Sequence, residues 1–256
     1  MRFAKYEGLG NDFVVVEGAA AGVLDVDRIR RLCDRRFGVG ADGVLVVEPG
    51  AEAPWRMTVH NADGSRPEMC GNGLRCVVRY LRDRHPALPA RFVVETDAGP
   101  LTVEDGAAGV GVDLGAVADA GALTVEADGR AFTGRWLSLG NPHYVMFGTW
   151  SDAEFHRWGP QLTAHRAFPA GANISFAEVE ASDRIRLRVW ERGAGPTLAC
   201  GTGATATAAA AWLERRVEGE RVAVDLPGGR LWIEGSSDAL RMWGPAREVF
   251  VGEWRG

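Results

Sequence analysis

Apolar and polar residues alternate along Arg184–Val189, where arginine at every even position alternates with isoleucine, leucine and valine. Alternation with a period of two predicts a β-strand with one buried and one solvated face. The same pattern over Trp55–His60 predicts a half-buried strand, and the apolar run Phe13–Val16 predicts another. Strands are therefore expected in both halves of the chain.

Helical periodicity marks four other segments. In Leu74–Arg84 the apolar residues recur on one side at helical spacing, which predicts an amphipathic helix. The segment from Ala204 to Leu213 is small and apolar on all sides, and a helix of this kind belongs inside a protein core. Two further helices are predicted over about residues 25–36 and 152–165.

Short strand candidates fill much of the remaining chain. They are separated by Gly, Asp and Pro, and strands at this spacing indicate antiparallel sheet or barrel in preference to alternating βαβ units. Trp136–Leu139 leads into the turn Gly140–His143, and a further strand begins near Asn173. The other candidates are Phe92–Glu95, Leu101–Glu104, Val110–Leu114, Leu123–Glu126, Arg221–Asp225, Arg230–Glu234, Leu240–Trp243 and Glu248–Val251.

The two halves of the chain repeat one plan around a cysteine. Asn61 ends a predicted strand nine residues before Cys70, and Glu191 ends one nine residues before Cys200. Each cysteine is followed by Gly-x-Gly and a predicted helix. We therefore expect two pseudosymmetric domains of an α+β (mixed α/β) fold. Each is expected to be a largely antiparallel β-sheet or barrel wrapped around a central helix, and both helix N-termini are expected to face a shared cleft.

The boundary between the domains is expected in Gly115–Gly121, a linker-like stretch of small residues. This divides the chain into residues 1–115, which carry Cys70 and are completed by about residues 246–256, and residues 116–245, which carry Cys200. Two domains of this size agree with the 256-residue length of the chain.

A cysteine at the N-terminus of a helix faces the positive end of the helix dipole and unpaired backbone N–H groups, both of which favour thiolate. If one of Cys70 and Cys200 is a thiolate and the other a thiol, the first removes an α-proton and the second donates one to the opposite face. Amides at the same helix ends are placed to bind the substrate carboxylate and its developing charge. These amides belong to Gly71, Asn72, Gly201 and Thr202. Such an arrangement inverts a stereocentre without a cofactor.

Other interpretations of the cysteines are weaker. Cys33 and Cys76 are expected to be small buried hydrophobic residues. The cysteines and the five histidines lack the usual spacing of zinc ligands, so no metal is expected. A disulfide between Cys70 and Cys200 would be an inactive oxidised form of an enzyme, and a reversible one is the alternative of a redox sensor or ligand-binding protein.

The composition also disfavours cofactors and polymeric partners. The 29 basic residues are 28 arginines and Lys5, so a pyridoxal phosphate Schiff base would depend on one residue. Gly38–Gly43 matches the dinucleotide fingerprint GxGxxG, but a predicted helix precedes it and a strand follows, which favours a tight turn.

A net charge of −5 without a basic stripe argues against nucleic acid. The absence of a signal peptide pattern and of ~18 consecutive apolar residues predicts a cytoplasmic protein without membrane partners.

Four motifs resemble those of the diaminopimelate epimerase family, in the family's order along nearly the whole chain. They are Lys5-Tyr6-Glu7-Gly8-Leu9-Gly10-Asn11-Asp12-Phe13, Asn61-Ala62-Asp63-Gly64-Ser65 with Met69-Cys70-Gly71-Asn72-Gly73, Gly140-Asn141-Pro142-His143, and Glu191-Arg192-Gly193-Ala194-Gly195 with Ala199-Cys200-Gly201-Thr202-Gly203. The resemblance implies a cofactor-independent epimerase that interconverts LL- and meso-diaminopimelate in the synthesis of lysine and peptidoglycan precursors. It also implies two pseudosymmetric domains and a homodimer.

By motif position, the resemblance assigns Cys70 and Cys200 as the acid–base pair and His143 to a supporting role. It assigns recognition of the distal, unreacting amino-acid end to Asn11, Asn61, Asn141, Asn173, Glu191 and Arg192. The sequence departs from residues common in the family at Gly43, Pro196 and Thr205. These departures leave open a cofactor-independent racemase or epimerase of another amino acid, with the same thiols and a different side-chain pocket.

Overall fold

Two parts of the chain fold into the same arrangement of strands and helices. The computed structural model describes residues 1–18 and 24–256. Contacts within the chain divide it into two units: unit 1 comprises Met1–Asp113 and Gly244–Gly256, and unit 2 comprises Leu114–Trp243.

Within the residues that the structure describes, unit 1 contains a mixed sheet and two helices. Its strands are β1 (Arg2–Gly8), β2 (Asn11–Glu17), β3 (Gly43–Glu48), β4 (Trp55–Asn61), β5 (Arg91–Thr96), β6 (Gly99–Gly106), β7 (Gly109–Gly115) and β17 (Arg247–Glu253), and its helices are α1 (Val26–Cys33) and α2 (Gly71–Arg84). Neighbouring strands pair in the order β17-β1-β2-β3-β4-β5-β6-β7.

Unit 2 repeats this order. Its strands are β8 (Ala118–Ala127), β9 (Arg130–Ser138), β10 (Pro142–Phe147), β11 (Asn173–Ala181), β12 (Arg184–Glu191), β13 (Gly195–Pro196), β14 (Arg221–Leu226), β15 (Gly229–Ser236) and β16 (Ala239–Gly244), and its helices are α3 (Asp152–Thr163) and α4 (Gly201–Leu213). The strands pair in the order β8-β9-β10-β11-β12-β14-β15-β16, and the short β13 pairs with β12.

From β3 onward, equivalent strands in the two units start or end 130 residues apart. Asn61 and Glu191 end β4 and β12, and Cys70 and Cys200 cap α2 and α4, each pair 130 positions apart. The same spacing relates the starts of β5 and β14 and of β6 and β15. A residue in one unit can therefore be compared directly with its counterpart in the other.

Parallel strand pairs occur in both units, which the sequence patterns did not predict. In unit 1 β2 pairs with β3 and β4 with β5, and in unit 2 β10 pairs with β11 and β12 with β14, all in parallel. A parallel pair needs a long crossover connection. Helix α2, α3 or α4 lies in three of these crossovers and α1 in the fourth. The remaining strand pairs of the two units are antiparallel, as expected.

The central helices α2 and α4 are buried within their sheets. Helix α2 buries Leu74, Val77, Val78 and Leu81, and full burial of each aliphatic side chain contributes about 1.5–3 kcal/mol relative to exposure. Helix α4 buries an almost unbroken run of alanine and threonine over residues 204–211. These small side chains let the surrounding strands approach closely on every side. The predicted α+β fold, with a sheet around a central helix, is confirmed in each unit.

Two local predictions differ in part from the structure. Strand β8 begins at Ala118, inside the stretch predicted to be a linker, because a bulge at Asp119 and Gly121 lets small residues continue the sheet. The predicted turn at Gly140–His143 is present in its first half, where Gly140 has a φ of 83° between the antiparallel β9 and β10, but β10 already begins at Pro142. Proline is tolerated as the first residue of a strand because its missing N–H is not needed for the ladder there.

Within residues 1–18 and 24–256, no helix is both long and apolar enough to cross a membrane. The same residues contain no group of three or more His, Cys, Asp and Glu side chains arranged to hold a metal ion.

Candidate active site

Cys70 is the N-cap of α2, as predicted. Its extended backbone turns the chain into the helix, and its Sγ accepts a hydrogen bond from the Gly73 N–H at 3.4 Å. A Cβ atom at Gly73 would lie 2.9 Å from Leu45 Cδ2 and 3.5 Å from Cys70 Sγ. Glycine at this position therefore lets the half-buried thiol sit against the first turn of the helix.

A chain of polar contacts links Cys70's helix to the start of β2. Asn72 Nδ2 donates to Asn11 Oδ1 at 3.3 Å, and Asn11 Nδ2 donates to Asp42 Oδ2 at 2.7 Å. Asp42 is also paired with Arg35 at 2.6 Å. The structure thus brings together two of the predicted substrate-binding residues, Asn11 and Asn72, and orients both ends of the Asn11 amide.

Asn61 does not join this chain of contacts directly. It is exposed, and its side chain donates to Ser65 Oγ at 2.9 Å. Its backbone pairs with Gly43 across β3 and β4, and Gly43 pairs with Phe13 across β2 and β3. Asn61 and Asn11 therefore lie at the same edge of the unit 1 sheet.

Arg75 is the largest fully buried side chain of the described chain. Its guanidinium donates to Asn72 Oδ1 at 2.8 Å and to the Pro245 carbonyl at 3.3 Å. Burial lowers the pKa of Arg75, and electrostatic attraction to Cys76, Cys70 and Glu7 opposes that shift. A buried cation is thus held on the first turns of the helix that Cys70 caps.

Cys200 is the N-cap of α4 and is only 5% exposed. Its Sγ lies 3.8 Å from Thr202 Oγ1. A Cβ atom at Gly203 would lie 3.1 Å from both Cys200 Sγ and Val189 Cγ2, and one at Gly201 would lie 2.7 Å from Met242 Sδ. The two glycines after Cys200 therefore leave the space that the thiol and its surroundings occupy.

Burial dominates the ionisation of Cys200. Burial and the neighbouring Glu191 carboxylate raise the pKa of the Cys200 thiol well above its ordinary value, while the Gly203 N–H and the Thr202 hydroxyl act in the opposite direction. The helix dipole contributes about 0.3–1 kcal/mol, less than one pKa unit, whereas burial shifts a pKa by up to about 3–5 units. The expectation that a helix end alone makes a thiolate does not hold at this cysteine.

Glu191 is half-buried and interacts with Cys200. Thr197 Oγ1 donates to Glu191 Oε1 at 2.5 Å. Burial raises the pKa of Glu191, and its hydrogen bonds from Thr197 and Cys200 oppose the shift. The family resemblance assigns Glu191 to the distal end of the substrate. In the structure its carboxylate also contacts Cys200.

The amide of Asn141 joins His143 to the first turn of α4. Asn141 Nδ2 donates to Thr202 Oγ1 at 3.2 Å, and His143 Nε2 lies 3.0 Å from Asn141 Oδ1. Because an amide oxygen only accepts, His143 Nε2 carries the proton. Burial and the charge of Arg192 lower the pKa of His143 to about 3, so the ring is neutral near pH 7.

Asn173 and Arg192 are the remaining predicted substrate-binding residues of unit 2, and they contact each other. Asn173 Oδ1 accepts from the Arg192 backbone N–H at 2.9 Å, and the Arg192 side chain donates to the Ala170 carbonyl at 2.8 Å. Arg192 is exposed, whereas Asn173 is buried. Asn173 thus fixes the backbone that follows Glu191.

Two other cysteines and the lone lysine are structural. Burial raises the pKa of the Cys33 thiol to about 11 and raises that of Cys76 still further. Lys5 is buried and its Nζ lies 2.5 Å from Asp12 Oδ2. Gly38–Gly43 follows α1 and leads into β3, so it forms the expected turn and not a strand-to-helix loop.

Sequence patterns missed three residues of the candidate site. Arg75 was hidden because arginine on a helix usually points to solvent. Asp42 lies within the dismissed GxGxxG match, and Thr197 lies in the loop before Cys200. One signal was present for Arg75, since it lies between the apolar positions Leu74 and Cys76 next to the cysteine motif.

The family profile and the sequence relatives point to the same family. The profile of the family described as diaminopimelate epimerase matches residues 3–118 and 135–249. Diaminopimelate epimerase of Desulforudis audaxviator is 46% identical over 276 residues, covering 99% of both chains. That of Desulfitobacterium hafniense is 44% identical, covering 98% of this chain and 97% of the relative. The chloroplastic enzyme of Oryza sativa subsp. japonica is 42% identical, covering 98% of this chain and 79% of the relative.

Solved structures of low sequence identity share the fold. A phenazine biosynthesis protein of the PhzF family from Bacillus anthracis matches with a TM-score of 0.77 at 16% identity, covering 99% of this chain and 98% of that one. A hydroxyproline epimerase from Agrobacterium vitis matches with a TM-score of 0.73 at 13% identity, covering 98% and 91%. The family profile and the relatives over 40% identical show that the chain belongs to the diaminopimelate epimerase family.

Proposed function

We propose that this protein is a diaminopimelate epimerase that interconverts LL- and meso-diaminopimelate with Cys70 and Cys200 as its two proton-transfer groups. The observation that carries the proposal is the repetition of one cysteine-capped helix at equivalent positions 130 residues apart. The names of the full-length relatives support the choice of substrate. The reaction serves the synthesis of lysine and peptidoglycan precursors, and its expected location is the cytoplasm.

The reaction moves one proton at each face of the substrate α-carbon. A thiolate Sγ takes the α-hydrogen and becomes a thiol, while the bonding electrons remain on the α-carbon and its carboxylate. The thiol of the other cysteine gives its proton to the opposite face and becomes the new thiolate. The two cysteines exchange protonation states, and the configuration at the α-carbon is inverted.

Helix N-termini supply the stabilisation that this carbanion needs. The amides of Gly71 and Asn72 begin α2, and those of Gly201 and Thr202 begin α4. N–H groups at a helix start bind carboxylates, and they gain strength as negative charge grows on the carboxylate oxygens. All of the chemistry uses groups of the chain itself, and the proposed reaction needs no added cofactor.

The distal amino-acid end is assigned to polar residues at the edges of the two sheets. Amide donors and arginine suit a carboxylate, and a carboxylate suits an ammonium group. These residues are Asn11, Asn61, Asn141, Asn173, Glu191 and Arg192. His143 supports the set by holding the Asn141 amide.

The assignment is tested with pure reduced protein and LL-diaminopimelate in deuterated water. The expected result is meso product that carries one α-deuterium, and its absence would sink the proposal. Cys70→Ala and Cys200→Ala are each expected to abolish product formation, since one thiol cannot serve both faces. A panel of other amino acids under the same conditions separates this activity from a racemase of different specificity.

A homodimer through β17 is the proposed assembly. Val249, Phe250 and Val251 are 46–60% exposed on this strand, which pairs with β1 on one side. Arg2, Phe3 and Val251 border a groove of about 580 Å³ beside it. Exposed apolar strands invite pairing with another chain. Sedimentation is expected to show a dimer that Phe250→Glu dissociates, with Phe37→Glu as the control for a charge at another exposed phenylalanine.

A further inference from the structure

The glycine-rich turn Gly38–Gly43 packs tightly against the end of α1 and leads into β3. A Cβ atom at Gly38 would lie 1.9 Å from the Arg31 carbonyl oxygen. Gly40 has a φ of 78°, and a Cβ atom there would lie 2.9 Å from Arg35 Cα. Glycine at these positions therefore lets the turn fold back onto the backbone around Arg35.

Arg35 lies between two carboxylates in this arrangement. Its Nη2 donates to Asp12 Oδ1 at 2.5 Å and to Asp42 Oδ1 at 2.6 Å, and its Nη1 donates to Asp12 Oδ2 at 3.2 Å. Asp12 is also paired with Lys5, whereas Arg35 is the cation that pairs with Asp42. Neighbouring carboxylates repel each other unless a cation neutralises them. The position of Asp42 therefore depends on Arg35.

Asp42 in turn holds Asn11, a residue that the family resemblance assigns to substrate recognition. Its Oδ2 accepts from Asn11 Nδ2 at 2.7 Å and from the Asp12 backbone N–H at 3.1 Å. The Asp42 backbone N–H donates to the Asp12 carbonyl at 2.8 Å. The glycine-rich turn and the start of β2 are thus joined through both side chain and backbone.

The contacts of Asn11 and Asn72 permit only one orientation of the two amides. An arginine only donates hydrogen bonds, and an ionised carboxylate only accepts them. Arg75 donates to Asn72 Oδ1 at 2.8 Å, so Asn72 Nδ2 is the group that donates to Asn11 Oδ1 at 3.3 Å. At the other end of the Asn11 amide, Nδ2 donates to Asp42. A cation and a carboxylate therefore fix the two amides between them.

Unit 2 supports the equivalent amide with neutral groups. Asn141 lies 130 residues after Asn11 and is held by His143 and Thr202. Ala172 stands where unit 1 has the carboxylate of its glycine-rich turn. An imidazole and a hydroxyl group each both donate and accept hydrogen bonds. The charged support of the amide is therefore specific to the half-site of unit 1.

We propose that Arg35 is a positioning residue for substrate binding, which holds Asp42 so that the Asn11 amide keeps one orientation before the substrate arrives. Arg35 acts through Asp42 and needs no contact with the substrate. A recognition group that is already held in its binding orientation loses less entropy on binding, so its support contributes to affinity. The role rests on the proposed function for the identity of the substrate.

Arg35→Met tests this role at a side chain that is 58% exposed, so the core is not disturbed. The KM for diaminopimelate is expected to rise about fivefold, the worth of about one hydrogen bond, while kcat changes less than about twofold. Arg35→Lys is expected to fall between the parent and Arg35→Met, because an ammonium group lacks the planar fork that contacts both carboxylates.

Arg36→Met is the matched control, since it removes the adjacent exposed arginine and is expected to leave KM unchanged. A rise in KM in Arg35→Met no larger than that in Arg36→Met would overturn the proposal.

A double variant separates this role from direct contact between Arg35 and the substrate. If Arg35 acts through Asp42, the KM of Arg35→Met combined with Asp42→Ala should stay within about twofold of the KM of Asp42→Ala alone. A further rise of about fivefold in the double variant would show that Arg35 acts independently of Asp42, and the proposal would be wrong.

The side-chain amide of Asn11 reports the same role without substrate. In isotope-labelled protein, its NMR signals are identified by their loss in Asn11→Ala. Arg35→Met is expected to move the amide proton that is bonded to Asp42 towards the position of a solvent-exposed amide, and Arg36→Met is expected to leave it in place. An unmoved signal in Arg35→Met would overturn the proposal. A moved signal without turnover of diaminopimelate would refute the proposed function and support the role of Arg35 in orienting Asn11.

Discussion

Asp42 holds the side chain of Asn11 through a hydrogen bond of 2.7 Å from Asn11 Nδ2 to Asp42 Oδ2. The same carboxylate oxygen accepts from the Asp12 backbone N–H at 3.1 Å, and the other oxygen pairs with Arg35. The turn before β3 therefore orients a residue assigned to substrate recognition on β2.

Asp42→Ala is expected to weaken both substrate binding and the fold. The variant frees one end of the Asn11 amide, so the KM for diaminopimelate should rise about tenfold, the worth of about one hydrogen bond. Thermal unfolding should show a loss of about 1–3 kcal/mol. Asp27→Ala, at an exposed position with only a 3.9 Å contact to Arg30, is the control. An unchanged KM would show that Asn11 does not depend on Asp42.

The buried imidazole of His143 predicts a loss of stability in acid. Its pKa is lowered to about 3 in the folded protein, from an ordinary 6.5. Below pH 6.5 the unfolded chain binds a proton that the native protein does not, so the free energy of unfolding falls as pH falls towards about 3. One proton corresponds to a slope of about 1.4 kcal/mol per pH unit.

His143→Gln should remove this slope while preserving a donor to Asn141. Urea unfolding between pH 7 and pH 5 is expected to show a smaller pH dependence in the variant than in the wild-type protein. His156→Gln, at an exposed position on α3, controls for the loss of an imidazole. Parallel pH dependences of His143→Gln and the wild type would contradict the assignment of His143 as the neutral buried group.

Much of this architecture is local enough to be predicted from sequence. The Cys-Gly-x-Gly turns at Cys70 and Cys200 were predicted to begin helices because glycines, a cap and apolar periodicity lie within a few residues of one another. The parallel pairs β2–β3 and β10–β11 were not predicted, because their partners lie about 30 residues apart along the chain. Short strand patterns do not specify which strands pair.

Side-chain partners within the site were also beyond local patterns. The fully buried state of Arg75 follows from Asn72 and the Pro245 carbonyl, and Pro245 is 170 residues away in the chain. The pKa of Cys200 depends on Glu191 and on burial that only the folded unit 2 provides. Residue type and spacing located the cysteines, whereas the burial of Cys200 and its contact with Glu191 required the tertiary structure.

Gly203→Ala is expected to impair turnover through the position of the Cys200 thiol. Its Cβ would lie 3.1 Å from Cys200 Sγ and from Val189 Cγ2, which forces one of them to move. Small displacements of a reacting group cost up to about a hundredfold in rate. Gly148→Ala in the same unit would make only ordinary contacts of 3.5 Å with Trp150 and should retain activity. Steady-state kcat for both variants checks this, and equal values would exclude a steric role for Gly203.

Two threonines of α4, Thr202 and Thr207, allow the contribution of the Thr202 hydroxyl to the Cys200 half-site to be compared with that of a hydroxyl elsewhere on the helix. Thr202 Oγ1 accepts from Asn141 Nδ2 at 3.2 Å and lies 3.8 Å from Cys200 Sγ. The Thr202 hydroxyl accepts from Asn141 and still has its own proton to donate to Cys200. Thr207 Oγ1 is buried and has no hydrogen-bond partner among residues 1–18 and 24–256.

Replacement of each threonine by valine keeps the shape and removes the hydroxyl. Thr202→Val should lower kcat about tenfold or more, because it removes a hydrogen bond of about 1 kcal/mol from Cys200 and leaves Asn141 Nδ2 without its acceptor. Thr207→Val should leave kcat unchanged and should be neutral or slightly stabilising, because an unsatisfied buried hydroxyl is replaced by a methyl group. Kinetics and thermal unfolding of the two variants separate the effects. Equal losses of activity would show that helix packing and not the Thr202 hydroxyl governs the Cys200 half-site.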